Sequence, residues 1–459
     1  MTHPYIPSTA PEEKAAMLRE IGVDSVEELF APIPDALRLH RPLNVPPAIP
    51  SEAMLERHVA RILAKNENCV DNLNFMGAGC YQHHVPAVVD EIVNRPEFLS
   101  GYAGEPYEDH GRFQMLFEYQ SLMAELLDMD VVNVPAIDGA QAAATAVRMA
   151  ARITGRRKAL VSEAILPDKL LVMRNYCAPD VDLVIVPVAA SGLTDLEAIR
   201  AQMDDSVACV YYDTPSYLGL VEENGDLLAD ACHAAGALLV VGVDPITLGA
   251  LETPASFGAD ILCGDIQTLG VHMQGGGGHG GFIATRDEPR FVLEYPSRLF
   301  GITNTVYPGE YGFGDVAYDR TSFHDREHAK EYVGTQAALW GIAAGVFLAL
   351  HGPEGMRELG EAMIERARYA ATRIAELPGV SVRYADRLFA KEFVVDFSGT
   401  GKSVADIHAA LRASGIFGGV DLTGWKAGME GCALYCVTEI HTQEDIDALV
   451  AALAAVIAE

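Results

Sequence analysis

Short apolar segments alternate with helical segments between residues 50 and 330, and this alternation allows the chain few folds. Five segments are apolar and have the length of buried strands: 159–161, 183–188, 207–212, 237–243 and 261–264. Strands that are apolar on both faces form parallel sheets that helices cover on both sides. We therefore predict an α/β fold with a mostly parallel central sheet, joined by right-handed crossovers.

The pattern differs on either side of this region and predicts three domains: an N-terminal arm at 1–60, a large domain at 61–334 and a small C-terminal α+β domain at 335–459. In the arm, helical spacing over 12–21 ends at Gly22. Ser25 and Glu28 then form a capping box that begins a second, short helix. Such an arm is more typical of a segment that covers a neighbouring surface than of an independent domain.

The small domain is predicted to combine long helices with a second sheet. Apolar helical spacing over 336–350 stops at Gly352-Pro353, which separates it from a second helix over 355–375. The remaining elements are strands over 380–384 and 393–397 and amphipathic helices over 404–414 and 444–458.

Charge and hydropathy exclude two classes of partner. Lys and Arg number 33 against 64 Asp and Glu, a net charge of −31, so no basic surface is expected to bind nucleic acid. The longest apolar run, 341–350, is about half of the ~20 residues that cross a bilayer, and the first residues lack a signal-peptide core. We expect a cytoplasmic protein with no membrane partner.

Gln267 precedes a run of four glycines at 275–278, where a Schiff-base enzyme of this architecture would carry a lysine. No lysine occurs between Lys169 and Lys330. A Schiff base to pyridoxal phosphate needs a primary amine, which the carboxamide of glutamine cannot supply. The sequence thus predicts the architecture of a pyridoxal phosphate enzyme without its covalent anchor, in a chain that completes another subunit's active site.

Two further motifs fit this architecture, and each has a simpler alternative. Gly139, which follows Asp138 and begins an alanine-rich helix, predicts a vestigial phosphate cup or an ordinary turn capped by Asp138. Asp244 ends a buried strand, as does the aspartate that pairs with the pyridinium nitrogen in such enzymes. Without an anchored cofactor, we expect Asp244 to be a helix cap or a loop staple.

Other candidate motifs indicate no additional cofactor. His272 and His279 flank the glycine run without further ligands at metal spacing, so no metal site is predicted. Gly77-Ala78-Gly79 lacks the downstream glycine and acid of a dinucleotide site. The polar, aromatic segment 101–112 is typical either of a binding loop or of a solvated one.

Motifs along the whole chain, in their order and spacing, resemble subunit 1 (the alpha subunit) of the two-subunit glycine dehydrogenase (decarboxylating), the P-protein of the glycine cleavage system. They include Tyr5-Ile6-Pro7, Phe75-Met76-Gly77-Ala78-Gly79, Arg95-Pro96-Glu97-Phe98, Asp138-Gly139-Ala140, Val241-Gly242-Val243-Asp244-Pro245, Gly352-Pro353-Glu354-Gly355 and Cys436-Val437-Thr438-Glu439.

The resemblance implies the aspartate-aminotransferase-like fold, type I of the pyridoxal phosphate transferases. It implies that a subunit 2-like beta partner carries the cofactor lysine, in an α2β2 complex. The implied reaction is decarboxylation of glycine, with transfer of the aminomethyl group to the lipoyl group of H-protein. This chain alone is then expected to be inactive, with Gln267 in the vacant lysine slot and no catalytic residue of its own.

The resemblance also suggests which residues approach the shared pocket. The expected lining residues are Tyr81, His83, His84, Tyr102, Glu105, Tyr107, His110 and Arg112. Thr335 is expected to donate to the phosphate of the partner's cofactor.

Two segments depart from the family pattern and leave alternatives open. Segment 103–108 replaces a Thr-Pro-Tyr-Gln-Pro-Glu run, and segment 331–336 keeps only the threonine of a Ser-Asn-Ile-Cys-Thr-Asn run. One alternative is therefore a subunit of a paralogous complex that acts on a different amine or amino acid. Another is a non-catalytic scaffold or regulator with the same fold.

Overall fold

The structure, a computed structural model, describes residues 5–99, 110–331 and 337–458. The chain divides into two compact units, Met1–Glu67 and Asn68–Glu459. In the described part of the chain, no helix is both long enough and apolar enough to cross a membrane.

In its described residues the first unit contains three α-helices, α1 (Pro11–Ile21), α2 (Val26–Leu29) and α3 (Glu52–Leu63), and none of their residues is buried. Helix α1 ends at Gly22, whose φ of 84° is readily adopted by glycine. Ser25 N–H donates to the Glu28 carboxylate at 3.0 Å, so the predicted capping box at the start of α2 is confirmed.

The second unit begins with a short strand, followed by the strands of the central sheet and the helices between them. In chain order they are β1 (Leu73–Asn74), α4 (Ala87–Val93), α5 (Pro96–Leu99), α6 (His110–Leu127), β2 (Val131–Val132), α7 (Gly139–Thr154), β3 (Lys158–Ser162), α8 (Pro167–Cys177), β4 (Asp182–Val186), α9 (Leu196–Gln202), β5 (Val207–Thr214), α10 (Gly225–Ala234), β6 (Leu238–Val243), β7 (Ile261–Asp265) and β8 (Gly281–Thr285).

The remaining elements include a hairpin and a second sheet. They are α11 (Pro289–Val292), β9 (Phe300–Asn304), β10 (Tyr311–Asp315), α12 (Ala338–Ala375), β11 (Ser381–Val382), β12 (Glu392–Asp396), α13 (Val404–Ala413), β13 (Ile416–Phe417), β14 (Val420–Asp421), β15 (Cys432–Cys436) and α14 (Gln443–Ala458).

The central sheet has seven strands in the order β2-β8-β7-β6-β5-β3-β4. Strands β3 to β7 pair in parallel, and β8 and β2 add an antiparallel edge. The predicted α/β fold with a mostly parallel sheet is therefore confirmed. All residues of β6, and all but the last of β5, are buried, as their unbroken apolar sequence requires.

The small sheet has the order β11-β12-β15-β14 and is antiparallel throughout. Its core includes Phe393, Val395, Ile407 and Leu434. The prediction of two helices around Gly352-Pro353 is confirmed, because α12 consists of two helical halves that meet at a kink there. Gly352, with a φ of 58°, has non-helical backbone geometry and separates the two halves.

Candidate functional site

A cavity of about 420 Å³ opens where the parallel strands end. Asp213 lies near the end of β5, Asp244 directly follows β6, and Asp265 ends β7. Gly139 at the start of α7 completes the wall. In open α/β sheets the carboxyl ends of the strands are the usual ligand site, because loops and helix N-termini converge there. The cavity is therefore the candidate functional site.

Gln267, in the position predicted for a lysine, has its carboxamide fully committed to the protein backbone. Its side chain oxygen accepts the N–H of Tyr81 at 3.0 Å. Its Nε2 donates to the carbonyl of Tyr81 at 2.9 Å and to that of Val271 at 3.1 Å. The residue is 2% exposed. Gln267 therefore links two loops and presents no amine to the cavity.

Asp244 forms a buried ion pair with Lys391. The Lys391 ammonium lies 2.5 Å from Asp244 Oδ2, and the lysine side chain is 2% exposed. The other carboxylate oxygen accepts a hydrogen bond from Thr268 Oγ1 at 2.9 Å. Burial alone would raise the pKa of Asp244, but the Lys391 ammonium outweighs burial and lowers this pKa. Asp244 is therefore an ionised carboxylate whose Oδ1 accepts a hydrogen bond from Thr268 and whose Oδ2 is paired with the Lys391 ammonium.

Further groups surround the Lys391 ammonium. It lies 3.3 Å from the centroid of the Tyr81 ring, a cation–π contact, and 3.2 Å from His83 Nε2. Because an ammonium only donates, His83 Nε2 accepts, which places the ring proton on Nδ1. That nitrogen lies 2.7 Å from Glu439 Oε2. Asp244, Lys391, His83 and Glu439 thus form one chain of charged and polar groups, the deep cluster.

Glu439 is held ionised at the end of the deep cluster. Besides His83, it accepts the backbone N–H of His84 at 2.7 Å. Burial opposes its ionisation, but the contacts with His83 and with the His84 N–H lower its pKa to about 2. Glu439 therefore stays a carboxylate over the physiological pH range.

Glu392 ties the cavity lining to the small sheet. Its Oε1 accepts the N–H of Ala78 at 2.7 Å, and its Oε2 accepts the hydroxyl of Tyr81 at 3.0 Å. Burial raises the pKa of Glu392. Gly77 is required at this contact, since a Cβ there would lie 2.2 Å from Glu392 Oε1.

A second group, the helix-end cluster, consists of Gly139, Asp265 and His279. The N–H of Gly139, at the start of the 16-residue helix α7, donates to Asp265 Oδ2 at 2.7 Å. His279 Nδ1 lies 3.1 Å from the same oxygen. Hydrogen bonds to Asp265 and Cys80 outweigh burial and raise the pKa of His279 to about 10, so His279 is an imidazolium at neutral pH.

The cavity wall also contains a paired lysine. Lys169 Nζ lies 3.0 and 2.9 Å from the two carboxylate oxygens of Asp213, and the hydroxyl of Tyr211 donates to Asp213 Oδ1 at 2.6 Å. A Cβ on Gly242 would lie 1.9 Å from Asp213 Oδ1, so only glycine leaves room for this arrangement. The lysine is bonded to Asp213 and is not available as an unpaired amine.

The structure separates the three residues of 81–84 that were expected at the pocket. Tyr81 lines the cavity. His83 lies under this lining, in the deep cluster. The His84 side chain is exposed, and only its backbone N–H joins the cluster.

The other expected residues lie near or within the undescribed segments. His110 is the first residue of α6, and Arg112, the third residue of the same helix, is half-buried. Tyr102, Glu105, Tyr107 and Thr335 lie outside the described residues. Their assignment to a shared pocket stays a prediction.

The structure changes the interpretation of Asp244 and of the predicted phosphate cup. The Asp244 carboxylate caps no helix, because only its backbone carbonyl bonds to Thr247. It does staple the loop at Thr268. At α7, Asp138 accepts the N–H of Gln141 at 2.7 Å as predicted for a cap, but the adjacent Gly139 N–H is already bonded to Asp265.

Sequence reasoning missed Lys391, Glu392 and Asp265. Asp265 adjoins Gln267, so its position at a strand end was a usable signal. Glu392 begins strand β12 of the small sheet and lines the cavity, and Lys391, directly before it, contacts Asp244, so only the fold brings these two residues to the site. Among the described residues, no group of three or more His, Cys, Asp or Glu could hold a metal ion.

Comparison with known proteins places these features in a family. The family model described as glycine cleavage system P-protein matches residues 3–453. The chain is 36% identical to the probable glycine dehydrogenase (decarboxylating) subunit 1 of Staphylothermus marinus, over 100% of this chain and 99% of that one. Identity to the protein of the same name from Geobacillus kaustophilus is 37%, over 98% of each chain.

Solved structures agree with the sequence relatives. Glycine decarboxylase (P-protein) of the glycine cleavage system, in inhibitor-bound form, superposes with a TM-score of 0.86 at 35% identity, over 99% of this chain and 100% of that one. A NifS-like protein and a sphingosine-1-phosphate lyase of Burkholderia pseudomallei superpose with TM-scores of 0.63 at 13% and 15% identity. These two share the fold.

Proposed function

The chain belongs to the glycine cleavage system P-protein family, and we propose that it is the subunit of a glycine decarboxylase that does not hold the cofactor. The observation that carries this proposal is Gln267, whose carboxamide is bonded at both ends to backbone groups. A residue so committed supplies neither an amine for a Schiff base nor a free donor.

The other cavity residues also do not fit pyridoxal phosphate. A bound cofactor needs an anionic partner for its pyridinium nitrogen and free N–H groups for its phosphate. Asp244 is already neutralised by Lys391, and Gly139 N–H is already bonded to the Asp265 carboxylate. No step of the reaction is therefore assigned to this cavity.

In the complex, pyridoxal phosphate on a subunit 2-like partner would supply the electron sink for decarboxylation of glycine. The name subunit 1, carried by the relatives, supports such a partner. An α2β2 assembly, with the lipoyl group of H-protein as acceptor of the aminomethyl group, completes the proposal.

This chain would contribute groups to the partner's pocket. The proposed residues are Tyr102, Glu105, Tyr107, His110 and Arg112, with Thr335 at the partner's cofactor phosphate. In support, helix α6 begins at His110, which places Arg112 in its first turn.

The structure gives the alternative substrate no added support. Glu331, which begins one of the two divergent segments, is bonded to Arg152 through both carboxylate oxygens at 2.8 Å each. It also contacts Arg148. This acid is therefore used within the chain, and it does not add charge to a pocket.

The test is co-expression of this chain with a subunit 2-like partner, followed by an assay of glycine decarboxylation with lipoylated H-protein. We expect no cofactor absorbance and no turnover from this chain alone, and both from the complex. Turnover of other amines but not of glycine would overturn the proposal, as would an aldimine spectrum on this chain alone.

A matched pair of variants tests the shared pocket. R112A in the complex should lower kcat/KM for glycine by about tenfold or more, as expected for a lost charged contact. R200A removes the same charge from an exposed ion pair with Glu197 and should leave kcat/KM unchanged. Equal effects of the two variants on kcat/KM would show that Arg112 does not contribute to the shared pocket.

A further inference from the structure

We propose that Lys391 and Asp265 are internal substitutes for the two charged ends of pyridoxal phosphate. The chain then excludes the cofactor because its anchor points are occupied, and not only because it lacks the lysine. This exclusion is a property of the chain's own cavity and does not depend on which partner or substrate the complex uses.

Lys391 substitutes for the pyridinium. A protonated ring nitrogen beside a buried carboxylate is a cation that donates one hydrogen bond. The Lys391 ammonium supplies the same charge at 2.5 Å from Asp244 and also contacts the face of Tyr81. A pyridinium bound at Asp244 would place a second cation beside Lys391, whose 2% exposure gives it no access to water.

Asp265 substitutes for the phosphate. The start of α7 directs backbone N–H groups toward an anion, and the Asp265 carboxylate accepts one of them at 2.7 Å. A Cβ on Gly139 would lie 3.0 Å from Asp265 Cβ, so the helix start packs directly against the strand end. The nearby His279 imidazolium bonds to the same carboxylate at 3.1 Å. A phosphate at this helix start would have to displace the Asp265 carboxylate from the Gly139 N–H.

The occupied anchors predict that a lysine at position 267 would not restore the cofactor site. A lysine in place of Gln267 would supply an amine, but the cofactor would still meet Lys391 at one end and Asp265 at the other. Removal of Lys391 should instead leave Asp244 as an unpaired buried carboxylate, which an incoming pyridinium would neutralise.

A ligand that binds without forming a Schiff base tests the two anchor points separately from the missing lysine amine. The probe is 4′-deoxypyridoxine 5′-phosphate, which has the ring nitrogen and phosphate of the cofactor but no aldehyde, so it cannot label surface lysines. Titration calorimetry would compare the full-length wild type with K391M. We expect K391M to bind at least about tenfold more tightly, a difference of about 1.4 kcal/mol.

Two controls separate charge from space. K158M removes a lysine from an ion pair with Asp204 that does not line the cavity, and it should bind as the wild type does. D244N/K391M opens the same space without the buried carboxylate and should show no gain. Equal binding by D244N/K391M and K391M would overturn the role of charge, and equal binding by the wild type and K391M would overturn the proposal.

A covalent test can overturn the proposal without requiring K391M to be stable. The single variant Q267K is incubated with pyridoxal phosphate, reduced with borohydride and mapped by mass spectrometry. We expect no stoichiometric adduct at position 267, and an adduct with aldimine absorbance in Q267K/K391M. Stoichiometric labelling of position 267 in Q267K alone would show that the anchors are accessible, and would sink the proposal.

Discussion

The deep cluster and the helix-end cluster use the same chemistry in different surroundings. In the deep cluster, the side chains of Lys391 and His83 are each 2% exposed. In the helix-end cluster, His279 and Asp265 are 20% and 23% exposed. A buried charge that loses its partner cannot be rehydrated, whereas a half-buried one can. The two clusters should therefore differ in how much stability depends on them.

The largest effect is expected from K391M, which leaves Asp244 buried without a cation. Loss of one partner of a buried pair costs about 3–5 kcal/mol. Urea unfolding followed by circular dichroism measures this loss. The double variant D244N/K391M should recover part of the stability, because the carboxylate has become neutral. A loss below about 1 kcal/mol in K391M would show that water reaches Asp244.

A smaller loss is expected from D265N in the helix-end cluster. The amide keeps an acceptor for Gly139 N–H but loses its charge, so the hydrogen bonds to Gly139 and His279 weaken. Hydrogen bonds to charged groups contribute about 1.5–3 kcal/mol, and partial exposure places D265N at the lower limit. If D265N proved as destabilising as K391M, the proposed difference between the clusters would be wrong.

The two clusters should lose stability at opposite ends of the pH scale. The pKa of Glu439 is lowered to about 2 from its ordinary value of 4.5, so its contribution to stability is present above pH 4.5 and is lost as the pH falls toward 2. The pKa of His279 is raised to about 10 from 6.5, so its contribution is present below 6.5 and is lost as the pH rises through 10.

Unfolding free energies of wild type, E439Q and H279N across this pH range measure both contributions. E439Q should reduce only the loss of unfolding free energy at acid pH, and H279N only the loss at alkaline pH. Each reduction should be of order 1 kcal/mol, since solvent screens both groups in part. If either variant changed the pH dependence of stability at both acid and alkaline pH, the two clusters would be coupled.

The smallest effect is expected from K158M, the same substitution as K391M at an ion pair that is more exposed than Lys391 and Asp244. Lys158 and Asp204 are 23% and 53% exposed and lie 3.2 Å apart. Such pairs contribute less than about 1 kcal/mol. Thermal unfolding of K158M beside K391M tests whether burial, and not lysine itself, sets the difference; similar losses would contradict this.

Much of the fold could be predicted because its signals are local. The unbroken apolar segments at 207–212 and 237–243 became β5 and β6, the centre of the parallel sheet. Gly22 and the Ser25–Glu28 pair ended and began helices as expected. The two helices predicted around Gly352-Pro353 correspond to the two halves of α12, which meet at a kink at Gly352, because glycine and proline break helices locally.

The candidate site could be predicted only in part. The role of Gln267 could be predicted from the sequence, because the presence of an amide in place of an amine depends on the identity of one residue. Asp244 was recognised as a strand-end acid, but its partner was not, since Lys391 directly precedes strand β12 of the small sheet, far along the chain. No local sequence pattern indicates that the Lys391 ammonium pairs with Asp244. Aspartate and lysine are usually exposed residues, so neither one alone predicts a buried ion pair.

The sequence by itself determined that the chain has no Schiff-base lysine and that its centre is a parallel α/β sheet, because both depend on residue identity and on short-range periodicity. Only the tertiary structure decided what replaces the cofactor's charges. The pairing of Asp244 with Lys391, and of Gly139 with Asp265, requires segments distant in the chain to meet at the strand ends. Buried charges are stable only when such partners are brought together.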